Sequence, residues 1–312
     1  MFRIKYGIEN NNIDVTELTF NKCSYNNVIF IPKGDHARAN IFSDPIEGTL
    51  KSIFIEQDGL MTEYNDSYEI YININEFNIY NNHTVPNYIK FSVIDNIIDY
   101  NERLKTIQQF LQIDYGNFNT EIPEQIMASK YIVGNEKILE IGGNIGRNSL
   151  VMAFILNAKN NSNLVTLECD VGIATQLTHN KNINNLNFFV ENAALSKRNL
   201  IQKNWETIVS DILLEGYTPV KTITLEELIA KYHIDFNTLV IDCEGAFYYI
   251  LLDMPEILNN ISLIIMENDY NDILHKDYID KILREHNFYV DYVEGGGWGP
   301  CKDNFYEVWK RK

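Results

Sequence analysis

Apolar positions in the second two-thirds of the chain gather into short runs, and most of these runs stop at a carboxylate. The runs Lys137–Ile141, Asn163–Leu167, Leu186–Glu191, Asn237–Ile241 and Ser262–Met266 are rich in Ile, Leu and Val and have strand length. Stretches long enough for helices separate them, which is the alternation of an α/β protein with a mostly parallel sheet. Acids fall at the carboxyl ends of these strands, at Glu140, Glu168, Asp242, Glu244 and Glu267, with Asp269 just beyond. Ligands of an open parallel sheet lie outside those ends, so five acids there predict a lined cleft. Two further strands, Phe288–Val293 and Asn304–Lys310, flank the irregular segment GGGWGP. That link is too short for a crossover helix, so the pair is predicted to close as an antiparallel hairpin.

The pattern before residue 85 is different. Candidate strands at Val28–Ile31, Leu50–Ile55 and Tyr68–Ile74 alternate with turn-rich segments, and no helical period stands out. A small all-β domain over residues 1–85 is therefore expected, with a polar loop at Gly34–Asn40 suited to sugar recognition or simply to a turn. Ile97, Tyr100, Leu104, Ile107 and Leu111 recur at steps of three and four, which predicts an amphipathic helix within a connector over 86–120. The α/β domain then occupies 121–312. No internal repeat interrupts this plan, and homodimerisation through the β module is compatible with it.

The first α/β strand runs into Glu140-Ile-Gly-Gly-Asn-Ile-Gly146, a glycine turn that opens a helix. Pyrophosphate-binding loops use glycines in a G-x-G-x-x-G spacing, whereas here Asn144 interrupts that spacing and a carboxylate ends the strand. An acid repels pyrophosphate but attracts S-adenosylmethionine (SAM), which carries an ammonium and a sulfonium and no phosphate. Glu168 ends the second strand 26 residues after Gly142, where it can accept hydrogen bonds from ribose hydroxyls. Cys169 follows it. After the third strand, Asn192 and Ala193 open a stretch of small residues that a flat adenine ring could approach. The cofactor-binding set is thus Glu140, Gly142, Gly143, Asn144, Gly146, Glu168, Cys169, Asn192, Ala193 and Asp242.

Four segments taken together resemble the FkbM-type methyltransferases: Glu140–Gly146, Asn192-Ala-Ala-Leu-Ser196, Thr222-Ile-Thr-Leu-Glu-Glu-Leu228 and Ile241-Asp-Cys-Glu-Gly-Ala246. The resemblance covers roughly Glu121 to Lys312. It implies a class I SAM-dependent methyltransferase fold, Rossmann-like with a C-terminal antiparallel hairpin, and O-methylation of a sugar or glycan hydroxyl. It also implies that Asp242 and Glu244 sit beside the transferring methyl. Glu140 stands where Asp is commoner in the family, and Gly143 where Ala is.

Composition agrees with an enzyme of this kind. The 312 residues are 45% hydrophobic and 12% aromatic, enough for two cores. A formal charge of −17 argues against a nucleic acid partner, because phosphate binding needs a basic face. Cys23, Cys169, Cys243 and Cys301 show no C-x-x-C spacing, which favours reduced thiols. The start lacks an apolar signal region and no run is long enough to span a bilayer, so a cytoplasmic protein without membrane insertion is expected.

The reading is a SAM-dependent O-methyltransferase of a sugar or glycan, with another small-molecule or lipid hydroxyl as the alternative acceptor. A glycan-binding protein with a vestigial methyltransferase fold and a nucleotide-cofactor oxidoreductase are the other classes. An in-line displacement needs alignment and removal of the hydroxyl proton. Asp242 and Glu244, reasoned to share a strand face, with Glu267 beside them, are the catalytic candidates, and His275 is an alternative base. Arg147 is a candidate partner for the cofactor carboxylate. A divalent cation held by Asp242, Glu267 and Asp269 is left open, since no ligand spacing is diagnostic.

Overall fold

The computed structural model describes residues 2–25, 27–204 and 206–312, and the chain divides into two compact units, Met1–Asp99 and Tyr100–Lys312. The first unit holds two four-stranded antiparallel sheets. One comprises β1 (Phe2–Ile8), β2 (Asn11–Asp14), β5 (Ser52–Gln57) and β6 (Leu60–Tyr64) in the order β2-β1-β5-β6. The other runs β3-β4-β7-β8, from β3 (Ser24–Tyr25), β4 (Val28–Ile31), β7 (Ile70–Asn73) and β8 (Asn78–Asn81). Ile4, Tyr6, Ile29, Ile31, Ile53, Ile55, Ile70 and Ile72 are buried at every second strand position and build one core.

This unit is not all-β. It carries α1 (Thr16–Cys23), α2 (Asp35–Phe42) and α3 (Asn87–Ile94), each of eight residues. Two turns are too few for an apolar stripe to repeat, so the sequence pattern could not reveal them. The Gly34–Asn40 segment, expected as a polar loop, is the start of α2, and its Arg38 is fully buried. The guanidinium donates to the carbonyls of Pro32 (2.9 Å), Asn65 (3.0 Å) and Tyr68 (2.6 Å), tying helix and loops together.

The second unit begins with α4 (Tyr100–Gln109), whose Leu104 and Ile107 are buried, and α5 (Ile122–Tyr131). Its centre is a seven-stranded sheet in the order β11-β10-β9-β17-β18-β20-β19. The parallel strands are β9 (Ile138–Ile141), β10 (Leu164–Leu167), β11 (Phe189–Glu191), β17 (Thr238–Ile241) and β18 (Leu263–Glu267). β19 (Phe288–Glu294) and β20 (Tyr306–Arg311) pair antiparallel, and β20 also runs antiparallel to β18. Between the strands lie α6 (Arg147–Ala158), α7 (Val171–Ile183), α8 (Leu225–Tyr232), α9 (Phe247–Asp253) and α10 (Ile273–Glu285). The chain builds outward from β9 on one side through β10 and β11, then returns to β17 on the other. The crevice between those two directions opens at the carboxyl ends of β9 and β17.

Shorter elements complete the rim: the parallel pair β12 (Ala194–Leu195) and β16 (Thr222–Ile223), and a three-stranded antiparallel sheet of β13 (Leu200–Lys203), β14 (Glu206–Val209) and β15 (Thr218–Val220). Two of the family-like segments therefore meet, Ala194 opposite Thr222 and Leu195 opposite Ile223. The Thr222–Leu228 segment also has a local reason for its sequence. Thr224 and Glu227 form a reciprocal capping box that starts α8. Among the described residues no helix is long and apolar enough to cross a membrane.

Candidate functional site

A cleft of about 1190 Å³ opens at the carboxyl ends of the central strands. Its first wall is the turn after β9. Gly142 has φ +91°, and a Cβ built there would lie 1.5 Å from the Asp242 carbonyl oxygen. The turns after β9 and β17 thus touch backbone to backbone, with the Asp242 N–H donating to the Ile141 carbonyl at 3.0 Å. A Cβ on Gly143 would lie 2.2 Å from the Thr166 methyl. These glycines were expected to admit a ligand; the structure shows that they first admit neighbouring strands. Gly142 also lines the cleft, whereas Gly143 and Gly146 are buried behind it.

Glu140 stands behind the cleft as well, 2% exposed, with its Oε2 accepting from Ser149 Oγ (2.5 Å) and Thr166 Oγ1 (2.7 Å). It ties α6 to β9 and β10. Burial pushes its pKa up to about 7, and the two hydroxyls only partly offset that.

Glu168 does reach the cleft and also fastens two turns. Its Oε2 accepts the Asn144 N–H at 2.9 Å and its Oε1 the Asp170 N–H at 2.8 Å. Burial raises its pKa against those amides. Asn144, at φ +46°, extends its side-chain amide to Glu121 at 3.0 Å. Cys169 and Ala193 line the cleft beside Glu168. Asn192 does not: its amide donates to the carbonyls of Glu168 (2.8 Å) and Cys169 (3.1 Å), so its hydrogens are spent on the β10 turn. Ile141, Leu167, Ala193 and Leu195 form an apolar wall here.

Asp242, Cys243 and Glu244 all line the opposite side. The strand-face argument for Asp242 and Glu244 does not hold, because β17 ends at Ile241 and the next residues form a turn in which Glu244 takes φ +51°. That turn exposes Glu244 and leaves Asp242 half-buried. Cys243, expected to point away, reaches the cleft for the same reason, and burial raises its thiol pKa.

Glu267, the last residue of β18, meets Asp242 and Glu124 in a trio whose carboxylate oxygens lie within 4.8 Å of one another. Burial, a hydrogen bond to Glu124 and the charge of Asp242 push the Glu267 pKa up to about 11. Asp242 is raised well above the carboxylate range by burial and then by the charges of Glu121, Glu124, Asp269 and Glu244. Asp269 accepts from the Gly245 N–H at 2.9 Å, and burial with the neighbouring Glu244 charge brings it to about 7. This wall can hold protons near neutrality or receive a cation.

Two acids of the Asp242 wall escaped the sequence reading. Glu121 and Glu124 enter from the start of α5, and only the helix-opening Glu121-Ile-Pro-Glu124 pattern marks them. Arg147, considered for the cofactor carboxylate, is paired with Glu121 at 2.6 Å and donates to the Asn117 carbonyl at 2.8 Å. His275 is outside the cleft lining and stacks on Tyr248, ring centroids 3.8 Å apart. Strands β13 and β14 contribute Leu200, Gln202 and Glu206 to the rim, and Trp298 lines the mouth while 46% exposed.

The chain matches no family model and no curated protein. Among solved structures it is similar to an O-methyltransferase from Bacillus cereus in complex with SAH, at 16% identity and TM-score 0.39, over 72% of this chain and 97% of that one. It is also similar to a ribosomal protein L11 methylase from Lactobacillus delbrueckii subsp. bulgaricus, at 15% identity and TM-score 0.39, over 65% of this chain and 84% of that one.

Proposed function

We propose that the chain is a SAM-dependent O-methyltransferase acting on a sugar or glycan hydroxyl. The observation that carries this reading is the pairing, in one cleft, of an apolar wall beside Glu168 with an acidic wall around Asp242. The residues fit the cofactor. Each Glu168 oxygen accepts one backbone N–H and keeps a second lone pair for a ribose hydroxyl, and Ala193 leaves room for a ring against Ile141 and Leu167. When bound, SAM supplies a methyl group on a sulfonium. Asp242 then orients the acceptor hydroxyl and takes its proton, its proton affinity raised by burial and by the neighbouring acids Glu121 and Glu124.

Electrostatics narrows the acceptor. Eight carboxylates line the cleft against one guanidinium, Arg198, which is itself paired with Asp253 at 2.5 Å. A phosphate-bearing acceptor, nucleic acid included, would meet repulsion there. Trp298 offers an exposed aromatic face at the mouth, a surface suited to the C–H face of a sugar ring. The likeness of four segments to FkbM-type enzymes points the same way.

Calorimetric titration tests the cofactor: SAM should bind and NAD should not. Glu168→Ala should weaken SAM by roughly 1–3 kcal/mol through unpaired hydrogen-bonding groups. Release of S-adenosylhomocysteine across a panel of neutral glycosides tests the acceptor. SAM binding without turnover on any glycoside or other hydroxyl would leave a binding protein instead.

A further inference from the structure

Glu124 is 6% exposed and no N–H or hydroxyl among the described residues donates to its Oε2; the carboxyl of Glu267 is its acidic neighbour, and it lines the cleft where Asp242 and Glu267 converge. A buried carboxylate oxygen without a donor is costly, and two more carboxylates within 4.8 Å raise that cost. The nearby guanidinium of Arg147 does not relieve it, being committed to Glu121 and the Asn117 carbonyl. Three separate elements, α5, the β17 turn and β18, thus converge three hard oxygen ligands, and among the described residues no Lys or Arg is ion-paired with any of the three. Metal–oxygen bonds of about 2.0–2.6 Å place opposite oxygens about 4–5 Å apart, which the trio's spread accommodates.

We propose that Glu124, Asp242 and Glu267 hold a divalent cation of the Mg²⁺, Mn²⁺ or Ca²⁺ class at the floor of the cleft. Its role as a holder of the acceptor oxygens rests on the methyltransferase reading; the binding itself does not. Oxygen-only ligation selects these hard ions over zinc or copper.

The test is a Mn²⁺ titration of the chelator-treated full-length protein, read by loss of the free-ion paramagnetic resonance signal. One saturable site per chain is expected, displaced by Mg²⁺ or Ca²⁺. Glu124→Gln and Glu267→Gln should each weaken it roughly tenfold or more. Glu285→Gln, on the exposed side of α10 near Lys281, should leave it unchanged. Both trio substitutions take an anionic ligand away without adding a charge, and circular dichroism checks that they fold; the wild-type titration decides in any case. Absence of a saturable site in the wild type, or binding indifferent to both trio substitutions, overturns the proposal. SAM is titrated separately into metal-free protein. Mn²⁺ binding without SAM binding would keep the cation site and remove the methyltransferase reading. SAM binding that collapses in Glu124→Gln, with no Mn²⁺ site in the wild type, would give the trio to the cofactor's ammonium instead.

Discussion

The two units bury charge in opposite ways. In the first, Arg38 and Lys51 are at most 1% exposed, and each is surrounded by acceptors. Arg38 serves three loop carbonyls within 3.0 Å, while Lys51 lies 3.0 Å from Asp35 and 2.9 Å from Asp44 and donates to the carbonyls of Ile46 and Thr49. In the second, Glu124, Asp242 and Glu267 are gathered against one another. Glu191 shows that this unit can also satisfy a buried acid. It is 3% exposed, bonded to Lys221, Lys231 and Tyr232, and lowered to about 2. Satisfied buried charge ties a fold together; acids crowded against one another in a cleft do not, and such perturbed groups concentrate at functional sites.

That contrast breaks most visibly at Arg38. Arg38→Met leaves several buried carbonyls without donors, and a loss of roughly 3–5 kcal/mol in urea denaturation of the full chain is expected. A loss below about 1 kcal/mol would show that the hub is dispensable. Next is Asp242→Asn, expected to lower methyl-transfer turnover roughly 100-fold, about 2.7 kcal/mol, with SAM affinity kept. Turnover near the wild-type rate would move the base to Glu244 or Glu267.

The pH dependence of stability separates the two kinds of acid. Glu267 has a folded pKa raised above the usual 4.5 to about 11, so the folded state binds its proton more tightly. Its stabilising contribution is full below about 4.5 and is lost as pH rises towards 11. Glu191 does the reverse: its contribution is present above 4.5 and is lost as pH falls towards 2. In metal-free protein, Glu267→Gln should therefore raise stability by roughly 1–2 kcal/mol at pH 8 and flatten the alkaline limb, leaving the acid limb intact. Thermal melts across pH read both limbs, and an unchanged alkaline limb would deny Glu267 its buried, crowded state. The smallest effect is expected at His275. His275→Ala should leave turnover within about twofold, since the ring stacks outside the cleft; a loss near 100-fold would restore it as a base.

Much of the α/β unit was legible because its signals are local. The apolar runs of β9, β10, β17 and β18 and the acids that end the last three are written within a few consecutive residues, whereas Glu140, expected to end β9, lies inside it; the GGGWGP link suits an antiparallel return. Helices α1 and α2 were not legible, being two turns long, and α2 hides its purpose in Arg38, whose acceptors lie up to 30 residues away. The strand-face pairing of Asp242 with Glu244 failed because alternation stops where the strand does, at Ile241.

The sequence by itself determined that acids would stand at the carboxyl ends of parallel strands, because strand length, burial and termination are properties of short segments. Only the tertiary structure decided which of those acids line the cleft and which are turned onto the protein. Glu140 was turned onto Ser149 and Thr166, Asn192 onto the β10 turn, and Gly142 against the Asp242 backbone. It also brought in Glu124 from α5, far from Asp242 and Glu267 in the chain, to complete a trio no spacing announces. Side-chain proximity of that kind depends on sheet order and helix docking, and the pKa of each acid depends in turn on that proximity.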